Sequence, residues 1–318
     1  MKLIITIDTE EDNWASYNPT GDTLENIKQI PLLQQLFNDF KVTPTYLVTY
    51  SVAADKEAVS ILRNILEGGQ CEIGTHCHPW NTPPFEEENN PKNRMLCNLP
   101  VDLQYRKIKF LHDTIQRNFD IRPISFRSGR WGYNQDVAKS IYKLGYKIDT
   151  SIISYMDWTS FHGPDFSNIS PPPFRFSYDN IFKETTNGHL IEVPATVGFL
   201  QSSFTTSNYI FNLLRQKPFK PFKLIGLLYR LHMINKVWLS PEVSNASNMI
   251  ELVQRLKENN LHFINMFFHS SSLKAGLTPF VKTKDDEKRF FQCLREFFAY
   301  MRDAGIESIK LKDVAELI

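Results

Sequence analysis

No uninterrupted apolar stretch in this 318-residue chain is long enough to span a bilayer. Met1-Lys2 runs straight into LIITID without the apolar core and small-residue cleavage site of a secretory leader, so none is expected. Charge bias is missing as well. Lys+Arg number 36 against Asp+Glu 35, a net +1, so the global balance gives no argument for a nucleic-acid partner and any basic surface must be local. Four cysteines, Cys71, Cys77, Cys97 and Cys293, have neither C-x-x-C nor zinc-knuckle spacing; with no export signal they are expected to stay reduced in the cytoplasm and to serve packing. What is present is the composition of an ordinary globular protein with a large core, 42% hydrophobic and 22% charged.

Along the chain, short β-rich runs alternate with amphipathic helical stretches. KLIITID (2–8), TPTYLVTY (43–50), CEIGTH, ISFRSGR and YKIDTSI read as strands, followed by LIEVPAT (190–196), KVWLS (236–240), HFINMFFH (262–269) and ESIKL (307–311). Helices are predicted after residue 24, where Pro31 starts or kinks the second part, and over KEAVSILRNILE, 101–119, NQDVAKSIYKLG, 245–259 and 283–304. Asn134 reads as an N-cap and Gly145 as a C-terminal stop. Repeated strand–helix units with apolar strands predict a parallel sheet covered by helices, doubly wound or closed as a barrel.

In a parallel α/β fold the chemistry sits where strands end. The first strand ends in DTEED, the third in THCH, the fourth in FRSGR, the fifth in DTS and the strand near 265 in FFHSSS. Taken singly, each polar residue has a structural reading: Asp8 a turn cap, Arg127 a surface ion pair, Asp149 an Asx-turn, His269 a buried imidazole on a carbonyl. Five at the same ends of strands point instead to one rim. In GTHCHPW (74–80) an extended backbone would put His76 and His78 on one side and Cys77 on the other, as a shared metal ion requires.

These residues, in this order, resemble the polysaccharide deacetylases (NodB-like, carbohydrate esterase family 4). TIDTEED is similar to the family's first motif, EIGTHCH to the second, FRSGRWGY to the third, YKIDTSI to the fourth region and INMFFHSS to the last. The stretch 155–245 is the least covered. The resemblance implies a distorted (β/α) barrel of about seven repeats with parallel strands, here a single domain over 1–318 with an inserted basic helical segment, an insertion or lid around 155–235. It also implies a metal-dependent hydrolase that removes an acetyl group from an N-acetylated sugar or glycan precursor. A divalent ion, Zn2+ by the donor types, would be held by Glu10, His76 and His78. Asp8 matches the catalytic base, Arg127 the arginine that pairs with it, and His269 the catalytic acid, with Asp149 assigned to orient that histidine.

Two departures bear on the ligands. The family commonly has adjacent aspartates in its first motif, whereas Thr9 follows Asp8; the metal is therefore assigned to Glu10, with Glu11 and Asp12 as rivals. The usual second histidine lies four residues after the first, where this chain has Trp80, so His78 takes its place. Trp80 and Trp131, inside motif loops, are the candidate sugar-stacking residues. From Val193 to Pro241 there is no Asp or Glu, while Arg215, Lys217, Lys220, Lys223, Arg230 and Lys236 stand among aromatic and leucine residues. That pattern suits peripheral contact with the inner membrane surface through 209–236, or a lipid- or nucleotide-linked sugar; a helical insert with its lysines in water fits it equally. Two other functions fit the same scaffold: a deformylase or other amidase, and a metal-free glycan-binding barrel.

Overall fold

The computed structural model describes residues 1–12, 17, 23–216 and 224–318. In chain order its elements are β1 (Lys2–Thr9), α1 (Ile30–Asp39), β2 (Thr45–Val48), α2 (Tyr50–Ala54), α3 (Lys56–Glu67), β3 (Glu72–Cys77), α4 (Val101–Phe119), β4 (Ser125–Ser128), α5 (Gln135–Leu144) and β5 (Ile148–Asp149). There follow β6 (Phe174–Ser177), β7 (Asn180–Glu184), β8 (Leu190–Glu192), β9 (Val197–Phe199), α6 (Phe204–Leu214), α7 (Leu224–Arg230), β10 (Lys236–Trp238), α8 (Ala246–Glu258), β11 (Phe263–His269), α9 (Lys284–Asp303) and β12 (Glu307–Ile309).

Seven parallel strands run in the order β11-β1-β2-β3-β4-β5-β8, and β12 shares with β2 one edge of β1. The ring closes through irregular backbone. Thr196 N–H donates to the Asn265 carbonyl (3.0 Å), and Phe267 N–H to that of Leu239 (3.1 Å), so the segments after β8 and β10 stand in for a missing strand. The architecture is thus a distorted (β/α) barrel. Two expectations need correcting. The run 236–240 is not a strand of the parallel sheet: β10 pairs antiparallel with β9 in a sheet of two. The span 155–235 also contributes to the barrel itself, through β8, with the antiparallel hairpin β6–β7 attached at its edge.

Strand periodicity decides what faces inward. Along β1, Ile5 and Ile7 pack outward among the helices, whereas Ile4 joins Leu47, Ile148, Ile191, Val193, Leu311 and Val314 in a separate apolar cluster filling the lower barrel. Continuing up the same face, residues 6, 8 and 10 are Thr6, Asp8 and Glu10, all buried. The helices outside have identifiable ends. Asp55 accepts from Ala58 N–H to start α3, Asn134 accepts from Val137 N–H to start α5, and Thr283 with Asp286 forms a capping box on α9. Gly145 ends α5 at φ 89, a left-handed position open to glycine without strain.

Candidate active site

The upper ends of β1, β3, β4 and β11 converge on one cavity of about 300 Å3. Register brings its residues together: Asp8 lies opposite His269 across β1–β11, and His76 opposite Arg127 across β3–β4. The same parity that carries Asp8 and Glu10 inward carries His76 and His78, whose rings approach to 4.4 Å, while Cys77 is buried in the outer core.

Glu10, His76 and His78 form the one three-residue group of metal-ligating type found among the described residues, with ligand atoms all within 4.8 Å of one another. Glu10 Oε2 is 3.0 Å from His78 Nε2 and 3.8 Å from His76 Nε2. The donor set fits a divalent ion for three reasons. The His76 Nδ1–H can donate to the Arg127 carbonyl (3.2 Å), which leaves Nε2 as a lone-pair donor aimed at Glu10. Burial pushes both imidazoles down to about 4, so they are neutral near pH 7. Burial also pushes the Glu10 carboxyl up to about 7, against the pull of His269 and His76, which marks a carboxylate short of positive charge.

The rival carboxylates are engaged elsewhere. Asp12 accepts from Thr23 Oγ1 and from the backbone N–H of Glu25 and Asn26, which closes the loop after β1. Glu11 accepts from Asn81 Nδ2 and Thr49 Oγ1. Glu10 is held in place through its backbone, whose N–H donates to Ser270 Oγ and whose carbonyl accepts from Asn26. Gly129 makes room for His78: a Cβ there would lie 2.1 Å from His78 Nδ1. Trp80 lies over the His78 ring at 4.0 Å, so the side chain four residues after His76 forms the lid of the second imidazole.

Beside the triad, Arg127 Nη1 donates to Asp8 Oδ1 at 2.7 Å. Its Nε donates to the Thr150 carbonyl and Nη2 to Thr6 Oγ1 and Thr150 Oγ1, so each of the three nitrogens of a fully buried guanidinium has a partner. Burial alone would raise the Asp8 carboxyl, but the Arg127 guanidinium foremost, with the neighbouring His76 and His269 rings, outweighs it and holds it at about 2. His269 responds in the opposite sense. Burial would lower it, but Glu242 foremost, then Glu10 and Asp8, raises it to about 10.

The assignment of Asp149 as the residue orienting His269 is corrected. Ile148 and Val193 face into the barrel, so Asp149 and its register partner Glu192 face out of it. There Asp149 accepts from Ser151 Oγ (2.7 Å) and Ser151 N–H, away from the cavity. The carboxylate on His269 is Glu242, whose Oε2 lies 3.0 Å from Nδ1 and whose Oε1 also accepts from the His269 N–H and from Ser272. Glu242 is the first acidic residue after the acid-free span, two positions beyond KVWLS, and its place after a strand was the signal for it. Trp80 and Trp131 both line the cavity, joined by Trp158, Trp238, Phe267 and Phe280. Trp131 packs edge-on to Phe267 and over Arg127.

No family model and no curated protein matches the sequence. Solved structures do match. A putative polysaccharide deacetylase from Mycobacterium smegmatis superposes with a TM-score of 0.55 at 14% identity, over 100% of this chain and 90% of that one. The chain has the fold of that structure. A putative glycoside hydrolase/deacetylase from Parabacteroides distasonis gives 0.61 at 10% identity, over 99% of this chain and 71% of that one. A 4-alpha-glucanotransferase from Thermococcus litoralis gives 0.59 at 12%, over 100% of this chain and 40% of that one. The scaffold is therefore shared by proteins described with different chemistries, and the reaction has to be argued from the side chains.

Proposed function

We propose that the protein is a metal-dependent hydrolase that removes the acetyl group from an N-acetylated sugar or glycan, as the resemblance of its motifs to the polysaccharide deacetylases implies. The observation that carries this reading is the juxtaposition of two kinds of group in one cavity: a neutral imidazole pair with Glu10, and an ionised Asp8 beside an imidazolium His269. A divalent ion on Glu10, His76 and His78, zinc by the preference of two imidazoles and a carboxylate, would polarise the amide carbonyl and acidify water at the site. Asp8, kept charged by Arg127, accepts the proton that water releases; a base this weak depends on that water being strongly acidified. His269, charged through Glu242, gives the proton from Nε2 that the leaving amine needs. The indoles of Trp80 and Trp131 offer faces for a sugar ring. In this reading residues 1–318 form one barrel domain, and the elements of 155–235 outside β8 wall and cover the pocket.

Glycosyl transfer, the activity named for one of the solved structures, is less well supported. Its paired carboxylates must be free to act on the sugar, whereas Asp8 is bound to Arg127 and Glu10 faces two imidazoles. Acetate release from N-acetylated sugars by metal-loaded protein tests the proposal. Loss of release on chelation and in Asp8→Asn is expected; full activity in Asp8→Asn would sink the mechanism. Formylated sugars run in parallel separate a deformylase from a deacetylase. A glycan-binding barrel without turnover predicts no acetate and undiminished sugar binding in His76→Ala.

A further inference from the structure

Positive charge is concentrated in one stretch of this nearly neutral chain. Between Val193 and Pro241 stand six Lys or Arg and no Asp or Glu, so with a total of +1 the rest of the chain carries −5. The same stretch exposes large apolar side chains: Tyr209 on α6 (68%), Leu227 (53%) and Tyr229 (48%) on α7, and Leu231 (58%) and Met233 (58%) in the turn that follows. Single exposed apolar residues are ordinary; four within seven residues, alternating with the exposed Arg230 and His232, are not. The backbone holds them outward. Asn235 Nδ2 donates to the Tyr229 carbonyl (3.0 Å), Gln201 Nε2 to the His232 carbonyl (3.0 Å) and Asn235 N–H to Gln201 Oε1 (2.8 Å), while Ile234 is buried beneath.

We propose that this surface seats the protein on an anionic lipid bilayer, with Leu227, Tyr229, Leu231 and Met233 entering the acyl boundary and the basic side chains at headgroup level. Interleaved apolar and basic residues are what such an interface selects, and a carboxylate among them would be repelled by it. Arg215, at 3.5 Å from Asp157, and Lys236, on the Tyr155 carbonyl, are tied to neighbouring backbone and side chains, so among the described residues Arg230 is the basic side chain left to meet headgroups. Lys217, Lys220 and Lys223 lie outside the described residues. A cavity of about 280 Å3 is lined by Phe211, Ile225, Tyr229 and Ile234, with Trp238 and the cations Arg215 and Lys236 also in its walls. Trp238 also lines the catalytic cavity. A bilayer contacting α7 would therefore lie against a cavity that shares the Trp238 wall with the catalytic one, which suits a sugar carried on a lipid. That last step rests on the deacetylase reading; the docking itself does not.

Co-sedimentation with vesicles of equal parts phosphatidylglycerol and phosphatidylcholine, beside vesicles of phosphatidylcholine alone, tests the docking at low salt. The parent is expected to pellet with the anionic vesicles only, and Leu231→Glu with Met233→Glu to weaken partitioning by at least about tenfold. Arg230→Glu, which alters no apolar residue, is expected to weaken it in the same direction. Both exposed-site variants should release acetate from a soluble N-acetylated sugar as the parent does. A parent that stays in the supernatant, or variants that pellet equally, overturn the proposal. So does a parent that sediments as a dimer broken by the Leu231/Met233 change, since the patch would then be a contact between two copies of this chain. Vesicle binding with no acetate release from the parent would count against the deacetylase reading alone.

Discussion

Asp8 and His269 face each other across adjacent parallel strands, and Oδ2 of one lies 3.8 Å from Nε2 of the other. The pair spans almost the whole chain, with one member on β1 and the other on β11. Each is held by an ion of opposite sign on its far side, Arg127 for the aspartate and Glu242 for the histidine. Neither setting is local in sequence, and both can be probed by single substitutions.

Asp8→Asn removes the proton acceptor and leaves the side-chain volume intact. Acetate release is expected to fall by roughly 10²–10⁴-fold. In the metal-free protein, the loss of a negative charge near Nε2 should also lower the His269 pKa from its position near 10, which a histidine proton titration by NMR would measure. An unchanged titration would mean that the two groups do not sense each other.

Glu242→Gln should change how stability depends on pH. The His269 pKa is raised from 6.5 to about 10 in the folded protein, so the native state binds the extra proton and gains stability from it fully below about 6.5. That gain is lost as pH rises through 10. Denaturant titrations of metal-free protein should show a decline over this window, shallower in Glu242→Gln.

Gly129→Ala tests the room left for an imidazole. A methyl group 2.1 Å from His78 Nδ1 cannot be accommodated without moving the ring. Metal affinity measured by calorimetry is expected to drop by roughly 10–100-fold or more, with the circular dichroism of the barrel unchanged. Full affinity would place His78 outside the ligand set.

Glu192→Gln should be tolerated. Burial, and after it the charge of Asp149, push the Glu192 carboxyl well above its usual range, which favours its neutral form; burial also raises Asp149 to about 6. A raised carboxyl contributes stability below the unfolded value, near 4.5 for Glu192, and loses it as pH climbs through the folded one. The variant removes the Glu192 part of that loss, so its stability should exceed the parent's at alkaline pH and converge with it in acid. A large loss at every pH would show instead that Glu192 is needed as a charged group.

Much of the barrel could be read from periodicity. The apolar strands 2–8 and 262–269, the cap Asn134 and the stop at Gly145 are local signals, and local signals survive folding. The D-x-E and H-x-H spacings were legible for the same reason, since a period of two puts both members of each on one face. Asp149 misled because β5 is two residues long, too short for its sequence to declare which residue turns inward. Glu242 was missed because its place after KVWLS marks it only as a rim residue, while its tie to His269 crosses 27 positions and leaves no pairing pattern in either segment. The ring closure at Thr196 and Leu239 runs through backbone groups of irregular segments, which side-chain pattern does not report.

The inward face of β1, running from Ile4 through Thr6 to Asp8 and Glu10, makes one strand both the plug of the lower barrel and the floor of the upper one. A single inserted or deleted residue between Ile4 and Asp8 would turn the side chains on one side of the change outward while leaving the others inward. Glu10, one residue past the end of β1, keeps the inward phase of Asp8 only because its spacing from Asp8 is even.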